Sequence, residues 1–334
     1  MALSSNNIVT RGVLQNVSQK YSNIEYIAER IFPTIDGLTR KSQVVKYNKG
    51  PWFRDEAEVR GRGAAARLVD FRVSLSNITP VNYAAAAKVP DEDRADAKEA
   101  QSIPIQPDID ALELIANKLD LKKEVRVSAA IHAGTWADGN VGGEDAAAGW
   151  GHATAGSDTF LADMKTGRDA IRAATGLLPN RLLLDYTTWS KLAQAPALLA
   201  LTSPTKIDKS NPFMTLDTLA TLAQVKEVIV GTALKATNEE ALGNPDAGLT
   251  TVDVWNNSDN KGTGFLFYTP ERAGLKVASA GYMYRLAQTN GQGRMSSTWR
   301  KDEMHSDFYD TQEDLDIVTV GLDLGYLWKD TIAT

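Results

Sequence analysis

Apolar residues recur along this chain in two rhythms. In NIEYIAERIFPTI, Ile24, Ile27 and Ile31 keep helical spacing until Pro33 stops the run. The spacing predicts one or two helical turns at the end of a Ser/Asn/Gln-rich lead, too short to form a core and therefore laid on something else. From residue 40 the period becomes two. In QVVKYN, Val45 and Tyr47 alternate with Val44, Lys46 and Asn48; in RLVDFRVSLS, Val69, Phe71, Val73 and Leu75 face one way and Asp70, Arg72 and Ser74 the other. The two runs predict a long hairpin whose charged tip, within YNKGPWFRDEAEVRGRG, is far longer than a tight turn needs. Loops of that length are often functional.

Beyond the hairpin, DEDRADAKEA has weak helical character and reads as a solvated face or loop. PDIDALELIANKLDLKKEVRVSAAIHAG opens on Pro107 and Asp108 and closes at Gly134, predicting a helix about 40 Å long. Leu112, Ile115 and Leu119 form one apolar row on it, and Leu114, Leu121, Val125 and Ala129 a second. Residues 134–157 are Gly/Ala-rich, contain two tryptophans, and read as a segment boundary. Helix–strand alternation follows: DTFLADMKTGRDAIRAATG as a helix ended by Gly176, NRLLLD as a buried strand, TTWSKLAQA and LDTLATLAQ as helices, KEVIVG, TTVDVW and GFLFYT as strands. This is an α/β unit with its own core. The tail, IVTVGLDLGYLW, places Val318, Val320, Leu322, Leu324, Tyr326 and Trp328 on one face and predicts a single long strand.

Composition removes more functions than it suggests. The 334 residues carry 36 Lys+Arg against 42 Asp+Glu, a formal charge of −6, unlike the basic excess of most nucleic-acid grippers. There is no cysteine, hence no disulfide, thiolate metal site or cysteine nucleophile. No window approaches the roughly 20 apolar residues of a membrane helix. His132, His152 and His305 stand far apart, without an HExxH, so no metal ligand set is expected. Gly61-Arg62-Gly63 lacks P-loop spacing, no GxGxxG follows a strand, and no GxSxG occurs; no cofactor is expected. Asp138, Asn140, Glu144 and Asp145 lack the alternating ligands of a calcium loop and read as linker. The acidic stretch EMHSDFYDTQEDLD is the best place for paired carboxylates, with a solvated surface as the simpler reading. In the hairpin tip, Asp55, Glu56 and Glu58 offset Arg54, Arg60 and Arg62, and this mixed sign favours protein–protein complementarity over anion binding.

The order of polar arm, charged hairpin, long helix, Gly/Ala break, α/β unit and terminal strand resembles the major capsid proteins of tailed bacteriophages, the Hong Kong 97-like fold. IAERIFPTI running into KSQVVKYNKGPWFRDEAEVRGRG looks like the family's N-terminal arm and extended loop. IDALELIANKLDLKKEVRVSAAI looks like its spine helix, and TGRDAIRAATGLLPNRLLLDYTTWSKLAQAPAL like the start of its axial domain. The resemblance implies an α+β fold divided into an arm (1–39), an extended loop (40–76), a peripheral domain (77–157) with a spine helix over about 107–133, an axial domain (158–290) and a return to the peripheral domain (291–334). It implies a non-enzymatic protein that assembles as hexamers and pentamers into an icosahedral head around double-stranded DNA, without sequence-specific binding. The extended loop then lies on a neighbour: Trp52 and Phe53 bury apolar surface there, while Arg54, Asp55, Glu56, Glu58, Arg60 and Arg62 set register. The arm likewise drapes over another subunit. The implied partners are a separate scaffolding protein, a portal and a decoration protein; the implied location is the virion, after synthesis in the bacterial cytoplasm. No covalent Lys–Asn crosslink is expected from Lys46, Asn48 or Lys49. An encapsulin-like compartment shell, a hydrolase built on residues 302–316 and a nucleic-acid binder are the competing readings.

Overall fold

A computed structural model describes residues 22–39, 42–99, 106–146, 149–152, 158–202, 214–238, 248–256, 261–274, 276–287 and 293–332. In chain order these form α1 (Ala28–Ile31), β1 (Thr34–Leu38), β2 (Gln43–Tyr47), α2 (Gly50–Phe53), β3 (Val73–Asn77), β4 (Val81–Pro90), α3 (Asp91–Glu99), α4 (Pro107–Ala133), β5 (Glu144–Asp145), α5 (Phe160–Thr175), β6 (Arg181–Asp185), α6 (Tyr186–Leu192), α7 (Pro196–Thr202), α8 (Leu216–Ala223), β7 (Glu227–Gly231), β8 (Leu234–Ala236), β9 (Thr251–Asp253), β10 (Thr263–Phe267), β11 (Tyr282–Leu286), β12 (Arg294–Lys301), β13 (Ser306–Val318) and β14 (Gly325–Lys329).

Two five-stranded sheets organise the molecule. In the first, β13 is central, paired antiparallel with β4, β11 and β12, and β1 joins β11 in parallel. The second has the order β5-β14-β10-β6-β7, with β6 and β7 parallel and β10 antiparallel to both its neighbours. Strict alternation along these short apolar strands supplies two buried faces. Leu183, Ile229, Phe265, Phe267 and Leu327 meet Val127 and Ile131 of α4 in one core. Leu182, Leu184, Val228, Leu266, Tyr326 and Trp328 meet Phe160, Met164, Ile171 and Leu219 of the outer helices in the other.

The long helix α4 connects the layers and has the expected bounds. Pro107 at its first turn gives up no hydrogen bond, and Asp108 and Asp110 there complement the helix dipole. At the other end the Trp136 indole donates to the Ile131 carbonyl at 2.7 Å, satisfying one of the last acceptors. Its buried row differs from the expected ones. Ala111, Ile115, Leu119, Lys123, Val127 and Ile131 recur every fourth residue and wind round the helix, whereas Leu112 and Leu114 are exposed. An i+4 row drifts relative to the helix axis, so a helix of this length crosses from one sheet to the other and changes its buried face on the way.

Four other expectations are corrected. DEDRADAKE forms the helix α3, in keeping with its weak helical character, but it is not simply a solvated face: Asp93 is buried and Arg94 reaches three carboxylates. The tail is not one strand. β13 ends at Val318, a 3-10 turn spans Leu322–Leu324, and β14 enters the second sheet. Glycine explains the break: a Cβ at Gly321 would lie 2.8 Å from the Ser279 carbonyl oxygen, a closeness only glycine permits. Within 134–157, Trp136 and Trp150 are buried core residues and Glu144–Asp145 pairs with β14, so the described part of this stretch is no linker. Finally, the end of the arm packs on its own chain. Ile27, Ala28, Ile31 and Phe32 are buried in the core shared with α4, and β1 pairs with β11; Ile24 alone of the isoleucine row is exposed. Residues 1–21 lie outside the described residues.

Candidate assembly interface

The hairpin begins as expected. β2 and β3 pair from Gln43 with Asn77 to Tyr47 with Val73. The paired strands are only five residues each, however, and Leu68–Arg72 lie outside any strand. Pro51 sits in the first turn of α2, a single helical turn over GPWF, and residues 54–72 then run without regular structure except a turn at 61–64, closed by Ala64 N–H donating to Gly61 O.

Most of this segment is left uncovered by its own chain; Phe53 touches it at Gly176, and Phe71 lies 6.2 Å from the Tyr47 ring. Trp52 is 68% exposed and Phe53 64%; Val59, Leu68, Val69, Phe71 and Leu75 are exposed as well. Apolar side chains this numerous on one excursion exceed the scattered surface hydrophobics of ordinary monomers. Its root, by contrast, is fixed. Lys49 Nζ donates to Ala174 O at 3.1 Å and to Asp323 Oδ2 at 2.6 Å, and the Phe53 ring edge lies where a Cβ on Gly176 would approach it to 3.3 Å. Gly176 has φ +72 and ends α5, as the sequence predicts.

The charged residues of the tip divide into two groups. Arg54 faces Glu56 at 3.9 Å, and Glu58 pairs with Arg67, a residue the sequence reading did not single out. Asp55, Arg60 and Arg62 are exposed and have no ion pair among the described residues. Mixed charge beside exposed aromatics is a composition found at protein–protein interfaces.

The acidic stretch 302–316 has another fate. On β13, Asp307 and Glu313 turn toward arginines. Arg94 reaches Asp91 at 3.3 Å, Asp108 at 2.7 Å and Asp307 at 2.5 Å, while Arg300 reaches Asp91, Asp302 and Asp307. The Tyr309 hydroxyl donates to Asp108 at 2.9 Å. Burial opposes ionisation of Asp108, but hydrogen bonds from Arg94 and Tyr309 outweigh it and hold its carboxyl below the usual range. Buried Glu313 lies between Arg285 and Arg294 at 3.3 and 3.1 Å. These carboxylates lock α3, the start of α4 and the β12–β13 hairpin together, so Arg94→Ala should cost about 2 kcal/mol in urea-midpoint measurements at neutral pH. Below the unfolded carboxylate range the difference should shrink, because Asp108's depressed pKa contributes only while that carboxyl is ionised. Among the described residues no group of three or more His, Asp or Glu side chains is placed to hold a metal ion.

The arm's root is held by a buried carboxylate. Glu124 on α4 is fully buried, and its Oε1 accepts the backbone N–H of Ile27 and, at 3.2 Å, that of Ala28. Oε2 has no hydrogen-bond partner. Burial pushes the carboxyl up to about 7, against the pull of the two backbone donors. Lys123 beside it pairs with Glu29 of the arm at 2.8 Å and with Asp120 at 3.5 Å. Nothing in the apolar spacing of the helix points to this contact; a Lys-Glu pair inside a buried row was its only trace.

An exposed, root-anchored loop, an arm folded onto a long helix, a sheet beneath that helix and an α/β layer packed on its other end are the features of the Hong Kong 97-like capsid fold. The comparisons agree. The chain is similar to the major capsid protein of Burkholderia phage BcepMu, 24% identical over 247 residues that span 73% of this chain and 72% of that protein. Among solved structures it matches a phage-related protein from Bordetella bronchiseptica (TM-score 0.64, 21% identity, 93% of each chain). It also matches the capsid of cyanophage P-SCSP1u (TM-score 0.59, 12% identity, 98% of this chain and 95% of that one). No protein-family model matches the sequence.

Proposed function

We propose that this chain is the major capsid subunit of a tailed phage, assembling as hexamers and pentamers into the icosahedral head that encloses the double-stranded DNA genome. The observation that carries the reading is the loop between β2 and β3: a fold shared with phage capsids presents, on its outside, an apolar excursion that its own body leaves bare. Trp52, Phe53, Arg54, Asp55, Glu56, Glu58, Arg60 and Arg62 are its contacts to a neighbouring subunit. Burying two such aromatics contributes about 2–3 kcal/mol each, and the exposed ion pairs about 0–1 kcal/mol each. A closed lattice repeats these modest terms at every position. The division into arm, extended loop, peripheral and axial domains follows the same reading, as does a virion location after assembly in the bacterial cytoplasm. Lys49 is engaged by Asp323 within its own subunit, which supports a shell held without covalent crosslinks.

Negative-stain microscopy of the expressed chain, alone and with its scaffold, tests this: closed shells are expected, and a chain that stays monomeric in every condition overturns it. DNA rather than protein cargo inside those shells separates a phage head from an encapsulin-like compartment.

A further inference from the structure

We propose that Lys118, Lys122 and Arg126 on α4 form a contact surface for the phosphate backbone of duplex nucleic acid. The inference rests on the shell reading only in assigning this face to the side turned toward the genome.

The three cations occupy successive i+4 positions on one side of the helix, about 6 Å apart along its axis. Lys118 and Lys122 are exposed and Arg126 is half-buried. Among the described residues none of them has an ion pair, although the chain is net acidic and arginines 30, 94, 285, 294 and 300 are all paired. The nearby carboxylates are committed elsewhere: Asp120 to Lys123 and Arg294, Glu313 to Arg285 and Arg294. Tyr83, rising from β4, carries the Arg126 guanidinium at 4.4 Å and the Lys122 ammonium at 5.7 Å from its ring centre, and Arg126 donates to Leu315 O at 3.2 Å. Lys122 and Arg126 are therefore seated on the sheet, and Lys118 continues their row one helical turn toward the N-terminus, exposed. The shallow cleft bordered by Tyr83, Leu119, Lys122, Lys123, Arg126, Glu313 and Leu315 has room for about one water, so it offers no pocket for a peptide side chain, and the one carboxylate in it, Glu313, is held by Arg285 and Arg294.

Three aligned positive charges without a pocket suit a ligand recognised by charge alone. Duplex DNA presents one negative charge per about 1.7 Å of axis, so a row about 12 Å long lies against several phosphates. Backbone contacts of this kind position a duplex without reading its sequence. The acidic balance of the rest of the chain keeps such binding weak and readily reversed by salt.

The test uses the unassembled full chain, an arbitrary duplex of about 30 base pairs, and fluorescence anisotropy across about 50 to 300 mM salt. For the unaltered chain, log affinity should fall with log salt with a slope of about −2 to −3, three contacts at about 0.9 each. K118Q/K122Q should reduce that slope to about −1 and weaken binding at the lowest salt at least about tenfold, and K118R/K122R should restore both. K165Q/K235Q, which removes two lysines from elsewhere, should change neither. Because Lys118 and Lys122 are exposed, their variants should melt with the unaltered chain, so lost binding reports the surface and not the fold. An unchanged slope in K118Q/K122Q overturns the proposal, as does equal competition by polyglutamate at matched charge, which would assign the row to an acidic protein partner. Shell formation is read separately by microscopy: absence of shells with the expected slopes defeats the shell reading and leaves the contact surface standing.

Discussion

Removal of residues 50–62 should leave a folded subunit that no longer closes stable shells. The deleted segment holds exposed Trp52, Phe53 and Val59 and no residue of any core cluster, so its loss removes little that the monomer buries. The strand pairs of β2 and β3 and the Lys49 anchor lie outside the deletion. The unfolding midpoint should therefore move by less than about 1 kcal/mol in equivalent stability. Assembly should respond very differently. Aromatic anchors at interface centres cost about 2 kcal/mol or more each when truncated, and a shell multiplies that loss over every copy. The milder pair W52A/F53A should raise the concentration needed for assembly by at least about tenfold, since about 1.4 kcal/mol per subunit suffices for that. Sedimentation with microscopy measures both effects. Normal shells from the deletion variant would remove the loop from the assembly mechanism.

The second large effect concerns Glu124, whose consequence runs with pH in the direction opposite to a salt-bridged acid. Its folded carboxyl titrates near 7 against 4.5 in the unfolded chain. Between those values the folded state holds a proton that the unfolded state has released. The stability tied to this group is therefore fully present below about pH 4.5, declines as pH rises toward 7, and is lost above it. Glu124→Gln keeps an oxygen for the Ile27 and Ala28 N–H groups but cannot ionise. It should be more stable than the unaltered chain at pH 8, by about 3 kcal/mol, and nearly equal at pH 4.5. Glu124→Ala leaves both backbone donors buried without an acceptor and opens a cavity, costing about 3 kcal/mol at pH 4.5 and less at pH 8, where the unaltered chain has itself lost the contribution of the protonated carboxyl. Urea titrations of the three proteins at the two pH values decide the matter. Parallel pH curves for the unaltered chain and Glu124→Gln would show that this carboxyl does not titrate in the window. Because Asp91 and Asp108, held low by their arginines, lose stability on acidification in both proteins, only the difference between the curves is informative.

Much of this molecule was legible from local pattern. The long helix, the Gly176 stop and the short α/β strands follow from periodicity and from glycine and proline, which act within a few residues. Three of the expectations that failed share one reason. DEDRADAKE is more than a solvated face because Arg94 finds Asp108 and Asp307, 14 and 213 residues away, and no local pattern records such a partner. The tail alternates continuously in sequence, yet it divides between two sheets because Gly321 must pass the Ser279 carbonyl. The arm's isoleucines look like a segment seeking another subunit, yet they complete this chain's own core.

The candidate interface was equally divided between the two levels. Composition alone singled out YNKGPWFRDEAEVRGRG, since aromatics, glycines and both signs of charge crowd into a segment with no catalytic spacing. That Trp52 stays bare while Lys49 is bolted to Asp323 and Phe53 touches Gly176 depends on where distant segments return in space. Sequence by itself determined the period, length and stops of the elements, because those depend on backbone preferences over one or two turns. Only the tertiary structure decided which charges are paired, which carboxylate is buried beneath the arm, and which cations on the long helix are left facing solvent, because electrostatic partnership depends on distance in space and not along the chain.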